Sequence, residues 1–154
     1  MSFRLALAAT LLALTAPAAA ADKEVPYWAS LRSDEVNMRV GPGEDYKISW
    51  VYHRPQLPLK VLRLKESWRL VQDHAGTQGW MMSRFLTRER GGVVIGERTA
   101  EMRQKGEAGA RMLWRVAPGV VGKLGECSDG WCGFEVSGHF GFVPQDRLWG
   151  AGEP

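Results

Sequence analysis

The chain has 154 residues, with 20 lysines and arginines against 17 aspartates and glutamates, for a formal net charge of +3. No stretch of the sequence concentrates the basic residues, which argues against a nucleic-acid-binding surface. The 18 glycines, the 7 tryptophans and the lack of amphipathic helical periodicity predict an all-β fold with many turns.

Residues 1–21 have the composition of a secretory signal peptide. Arg4 provides the positive start, residues 5–16 are an apolar run, and residues 17–21 are the small residues of a cleavage region. The run is too short to span a bilayer, and no later stretch is long and apolar enough to do so. We therefore expect an exported, periplasmic protein whose mature chain starts with a short polar lead over residues 22–28.

A first domain is predicted over residues 29–90. Apolar residues at period two within residues 36–40 predict a strand, and the Gly-Pro-Gly of residues 41–43 ends it in a loop. Leu70 and Val71 are neighbours in a later strand, so one of them faces outward or lies at a bulge. The other predicted elements are strands over residues 28–33, 48–53 and 59–64 and a hairpin over residues 68–86.

The pattern restarts in the second half of the chain. Met102-Arg103 repeats Met38-Arg39, and three landmarks keep their spacing within one residue over about 30 positions. These landmarks are the pairs Met38 and Met102, Trp50 and Trp114, and Trp68 and Trp131. The duplication predicts a second domain over residues 100–149 and a tail over residues 150–154. Residues 91–99 are either a linker or an extended strand.

Two motifs stand at the ends of the first domain. They are an Asn-x-Arg-x-Gly-Pro start at residues 37–42 and a Gly-Trp…Leu finish at residues 79–86. With them the chain resembles the bacterial SH3 family of exported proteins, closely over residues 29–88 and more loosely over residues 100–149. The resemblance implies two tandem SH3-like, five-stranded, partly open β-barrels. It also implies binding without catalysis or a cofactor, and an association with peptidoglycan and cell-wall peptides.

The resemblance also places a ligand groove on the first barrel. The candidate groove residues are Tyr46, Trp68, Met82 and Phe85 on the first barrel and Trp131 and Pro144 on the second. Trp68 fits a supporting position inside the barrel equally well. Trp50 and Tyr52 share one strand face at period two, so they either extend the aromatic surface or form the contact between the barrels.

The chain has 2 cysteines, Cys127 and Cys132. The Asp129-Gly130 pair between them is a strong signal for a two-residue hairpin turn, which places Cys127 opposite Cys132. In an oxidising compartment this predicts a disulfide, with two free buried thiols or redox or metal chemistry as alternatives. The 3 histidines have no zinc-ligand spacing, so no metal site is predicted.

These observations predict a non-catalytic exported binding module. The leading ligand is peptidoglycan or its peptides, recognised through aromatic residues of the first barrel. An envelope adaptor that holds another protein and does not bind the wall is the alternative. A thiol-dependent enzyme that uses Cys127 or Cys132 is a remote third interpretation.

Overall fold

The computed structural model describes residues 25–154, so the predicted signal peptide lies outside the described residues. Within the described part the chain forms 14 strands and two short 3-10 turns. Among these residues no helix has the length and apolar character that crossing a membrane would need. The predicted all-β fold of two tandem SH3-like domains is confirmed.

The first domain is a seven-stranded antiparallel sheet with the order β3-β2-β6-β5-β4-β1-β7. A 3-10 turn, Ser83–Phe85, connects its last two strands. The strands are β1 (Tyr27–Leu31), β2 (Val36–Arg39), β3 (Ile48–Tyr52), β4 (Pro58–Lys65), β5 (Trp68–Gln72), β6 (Gln78–Met82) and β7 (Leu86–Thr87).

The second domain repeats this order as β10-β9-β13-β12-β11-β8-β14. A second 3-10 turn, Gln145–Arg147, precedes its last strand. The strands are β8 (Gly91–Val94), β9 (Ala100–Arg103), β10 (Met112–Val116), β11 (Val121–Ser128), β12 (Trp131–Val136), β13 (His139–Pro144) and β14 (Leu148–Trp149).

Each sheet has seven strands rather than the five that the resemblance implied, and neither closes into a complete barrel within residues 25–154. The number rises because the first strand of each domain also pairs with a two-residue last strand, β1 with β7 and β8 with β14. Residues 91–94 therefore form a strand of the second sheet, which decides between the linker and the strand that the sequence left open.

The strand register confirms the internal duplication. Met38 pairs with Trp50 in the first domain, and Met102 pairs with Trp114 in the second. A second pairing repeats in the same way: Trp68 lies opposite Met82, and Trp131 lies opposite Pro144. The predicted irregularity near Leu70 and Val71 is also present, as a register shift in the facing strand β4 between Val61 and Arg63.

Each domain has its own apolar core. In the first, Met38, Leu59, Val61, Val71 and Met81 have no exposed surface. The second core is built around Phe134 and contains the matching Met102. These side chains come from strands whose residues alternate inward and outward at period two.

The two domains meet at a junction built from tryptophans. Trp28 of β1 contacts Trp149 of β14 edge to face, with ring centroids 5.1 Å apart. The Trp28 indole N–H donates a hydrogen bond to the carbonyl oxygen of Gly152 at 2.9 Å. The Lys60 ammonium lies 5.6 Å and 5.2 Å from the centroids of the two indole rings. Such contacts favour one relative orientation of the two domains.

Close backbone contact continues the junction at the start of β8. The Gly91 amide donates to the Ser30 hydroxyl at 2.9 Å, and both groups are buried. A side chain at position 91 would collide with the carbonyl oxygen of Gln56. Elsewhere along the junction, the Arg54 guanidinium donates to the carbonyl oxygen of Gly119 at 2.6 Å. Because a side chain at position 91 would meet the Gln56 carbonyl oxygen, the residue that starts the second domain must be a glycine.

The β11–β12 hairpin has the turn that the sequence predicts. Asp129 and Gly130 both have positive φ, 52° and 80°, as a tight two-residue turn requires. Ser128 then pairs with Trp131 and Cys127 with Cys132, and the two cysteines are joined as a disulfide with Cα atoms 4.0 Å apart.

We expect the protein to be lighter by two hydrogen atoms before reduction than after it, as measured by intact mass under denaturing conditions. Reduction should lower the free energy of unfolding by about 2 kcal/mol, because the crosslink restricts the unfolded chain. Equal masses with and without reductant would show that the thiols are free.

Candidate binding surface

The hairpin between β2 and β3 carries a rigid loop. The Arg39 guanidinium donates hydrogen bonds to the carbonyl oxygens of Glu44 and Tyr46, at 2.9 Å and 2.7 Å. The Tyr46 ring lies flat against Gly41, where a Cβ would come within 2.6 Å of the ring carbon Cγ. The Gly-Pro-Gly segment therefore ends the strand and also packs against the Tyr46 ring.

This loop and β3 expose a cluster of large apolar side chains. Trp50 is 59% exposed, Tyr46 is 49% exposed and Ile48 is 48% exposed. We call these three residues the hairpin surface. Because β3 is the edge strand of its sheet, no neighbouring strand covers it. Exposed apolar patches of this kind mark binding surfaces or contacts between domains.

Tyr52 does not belong to the hairpin surface, so it does not extend the aromatic surface beside Trp50, one of the two roles that the sequence left open for it. Its ring centroid lies 6.5 Å from that of Trp50, but the side chain is only 7% exposed. The Tyr52 hydroxyl donates to a carboxylate oxygen of buried Asp73 at 2.7 Å. Burial first, and then this hydrogen bond and the negative charge of Asp73, raise the pKa of Tyr52 above its ordinary value.

Asp73 holds the neighbouring hairpin loop as well as Tyr52. Its second carboxylate oxygen accepts the backbone N–H groups of Ala75 at 3.0 Å and Thr77 at 2.9 Å. The carboxylate therefore ties the loop between β5 and β6 to the end of β3. Tyr52 and Asp73 are structural residues that support the strand carrying Trp50.

The groove residues implied for the first barrel are placed differently from one another. Trp68 is 8% exposed, which matches the supporting position that the sequence left open for it. Met82, opposite it on β6, is half-buried. Phe85 packs partly on the first core, and the Arg84 guanidinium carbon lies 4.8 Å from its ring centroid. Little of the Trp68 ring is available to a ligand.

On the second domain, the two groove residues that the resemblance implies lie next to each other. Trp131 and Pro144 pair across β12 and β13, and both line an open cavity of about 590 Å³. The backbone N–H of Gln145 donates to the Gly130 carbonyl oxygen at 2.8 Å, which holds the 3-10 turn against the disulfide hairpin. Trp131 is the counterpart of Trp68, which pairs with Met82 in the same way on the first domain.

The second domain also exposes a tryptophan that the sequence reasoning used only as a landmark. Trp114, at the register position of Trp50, is 47% exposed, and its ring meets His139 edge to face at 4.4 Å. Its position in the duplication was the signal that could have identified it. Both domains thus carry an exposed tryptophan on the edge strand, at the same place in the sheet.

Within residues 25–154 no group of three or more His, Cys, Asp or Glu side chains is arranged to hold a metal ion. Both cysteines of the chain are in the disulfide. The thiol-dependent enzyme interpretation therefore lacks a free thiol.

The solved structures to which this chain is similar include two proteins of Trichomonas vaginalis, NlpC1 and NlpC2. The identities are 12% and 11%, and the TM-score is 0.37 for both. The alignments cover 90% and 83% of this chain but only 50% and 49% of those proteins, so the chain spans about half their length. A search of curated proteins found no match.

The family comparison covers most of the described chain. The model of the bacterial SH3 domain matches twice, over residues 32–87 and over residues 96–150. Each match falls on one of the two sheets, and both include the edge strand with its exposed tryptophan. The chain therefore belongs to the bacterial SH3 domain family, as a tandem of two such domains.

Proposed function

We propose that this protein is a non-catalytic binding module that recognises peptidoglycan or its peptides through the hairpin surface of the first domain. Bacterial SH3 domains are commonly modules that bind cell-wall components, and this family membership supports the ligand class. The proposal includes export to the periplasm, on the strength of the signal-peptide composition of residues 1–21.

One observation carries the proposal: Trp50 and Tyr46 are large aromatic side chains that remain exposed while the other tryptophans of the first domain are buried or half-buried. Burial of a large apolar side chain contributes about 1.5–3 kcal/mol to stability, and much of this contribution is lost where the side chain stays exposed. The loop that holds Tyr46 is fixed by Arg39, so a ligand would meet a surface that is already ordered.

The hairpin surface suits a ligand with apolar faces and extended backbone. Aromatic rings offer flat contact area at a low cost in conformational entropy, which favours stacking on sugar rings and on peptide side chains. The free edge of β3 presents backbone groups beside Trp50, so an extended peptide could pair with the strand. Wall peptides linked to sugars combine both features.

The test is co-sedimentation of the mature protein with purified peptidoglycan sacculi at low salt. We expect wild type to pellet, and Trp50→Ala to bind about 30-fold more weakly, the loss of roughly 2 kcal/mol typical of a central aromatic contact. Tyr46→Ala should weaken binding in the same direction. Phe140→Ala removes an exposed aromatic ring from the second domain and is the matched control, for which binding should be unchanged.

Equal loss in Phe140→Ala and Trp50→Ala would show that sacculi bind any exposed aromatic side chain, which would contradict a site on the hairpin surface. Wild type that stays in the supernatant at micromolar concentration would contradict wall binding. The envelope adaptor would then be tested by crosslinking from intact envelopes, with Trp50→Ala as the comparison.

A further inference from the structure

Another cavity lies on the first domain, between the start of β1 and the segment that joins β6 to β7. Its volume is about 270 Å³. The walls include the apolar side chains of Ala29 and Leu86. Its polar lining consists of Tyr27, Arg32, Arg69, Ser83, Thr87 and Arg88. The cavity shares no residue with the hairpin surface.

Two of the three arginines are held in place by the protein. The Arg88 guanidinium carbon lies 3.3 Å from the centroid of the Tyr27 ring, which stacks the two groups. Nη1 of Arg69 donates to the carbonyl oxygens of Glu66 at 2.8 Å and Trp68 at 2.9 Å. Their remaining N–H groups have no hydrogen-bond partner among the described side chains, so they are available to a ligand.

The charge of the cavity is uncompensated within residues 25–154. No aspartate or glutamate lines it. The ion pairs of the described chain involve His53, Lys65 and Arg103, and none involves the three arginines of the cavity. Three guanidinium groups around one cavity repel one another, and an anion between them would remove that repulsion.

We propose that this cavity is a binding site for an oxyanion, either a carboxylate or a phosphate monoester, carried on a small group. Guanidinium groups match the oxygens of either anion with paired hydrogen bonds. The hydroxyls of Ser83 and Thr87 add donors at the cavity wall. Ala29 and Leu86 offer an apolar wall for a methyl or methylene group beside the anion.

The site is defined by its own arginines, so small anions test it independently of wall binding. The probes are N-acetyl-alanine for the carboxylate and inorganic phosphate for the phosphate group. Titrations would follow the arginine Nε–H signals by NMR in low-salt buffer. We expect saturable binding of at least one probe, with shifts of the Arg69 and Arg88 signals.

Neutralising one arginine tests the site directly. Arg32→Gln and Arg88→Gln should each weaken binding of the probe at least tenfold. Arg63→Gln removes an exposed charge from β4 that does not line the cavity, so its affinity should equal that of wild type. Arg88→Lys keeps the charge but loses the planar fork, so it should bind more weakly than wild type even if a glutamine variant fails to fold.

Each outcome decides the question. Binding of only one probe shows whether the site takes a carboxylate or a phosphate, and either result supports the site. Absence of saturation with both probes in folded wild type would overturn it. An equal loss in Arg63→Gln would also overturn it, because this would reflect general screening of surface charge.

Discussion

Replacing Gly91 with alanine is expected to lower the free energy of unfolding by about 3 kcal/mol, the upper end of the range for overpacking a dense site. The new Cβ would overlap the carbonyl oxygen of Gln56 and approach the Ser30 hydroxyl at 2.8 Å. The Gln56 carbonyl belongs to backbone and cannot rotate away as a flexible side chain would. The Gly91–Ser30 hydrogen bond, which joins the two domains, would be lost with it.

The measurement is urea unfolding followed by tryptophan fluorescence, which reports on the junction because Trp28 and Trp149 meet there. Wild type should unfold in one transition, and Gly91→Ala should unfold at a lower urea concentration. Gly109→Ala is the matched control, because Gly109 has no atom near the added Cβ and no positive φ. An unchanged midpoint in Gly91→Ala would show that the domains are not packed through this strand.

Replacing Asp73 with alanine is expected to lower the free energy of unfolding by a similar amount, about 3 kcal/mol. The substitution leaves the buried Tyr52 hydroxyl without an acceptor and removes the acceptor of two loop amides. An unpaired buried polar group costs about 1–3 kcal/mol, and loss of the loop contacts adds to it. Tyr52→Phe should cost about 2 kcal/mol, because the carboxylate stays buried and loses one charge-assisted hydrogen bond.

The Tyr52–Asp73 pair also predicts a pH dependence. The folded protein raises the pKa of Tyr52, so the proton is held more tightly in the folded state than in the unfolded state. The resulting stability is present in full below the unfolded-state pKa of about 10 and is lost as the pH rises through the folded-state pKa. The loss from this one group is at most about 1.4 kcal/mol per pH unit.

Urea midpoints between pH 8 and pH 11 test both statements. Wild type should lose more stability over this range than Tyr52→Phe, since the variant has no hydroxyl to ionise. Tyr46→Phe, which changes an exposed tyrosine, should follow the wild-type curve. Parallel curves for wild type and Tyr52→Phe would contradict the assignment. An Asp73→Ala variant as stable as wild type would show that the carboxylate contributes little to the fold.

The candidate site was only partly visible in the sequence. Tyr46 and Trp50 are exposed, whereas Tyr52 and Trp68 are buried, although all four are aromatic residues of the same domain. Period two places Trp50 and Tyr52 on one strand face, but it does not show where the covering loop ends. Asp73, contributed by the β5–β6 loop, covers Tyr52 and leaves Trp50 open. The arginine cavity is not visible in the sequence, because its residues come from three separate stretches of the chain.

The sequence by itself determined the all-β class, the duplication, the period-two alternation of its strands and the turn that brings Cys127 opposite Cys132. These features depend on local alternation, on turn residues and on spacing, all of which can be read along the chain. Tertiary structure alone decided which aromatic rings are exposed, how Gly91 and Trp149 join the domains, and where Arg32, Arg69 and Arg88 meet. Burial and charge proximity depend on residues far apart in sequence, so only the packing of the two sheets establishes them.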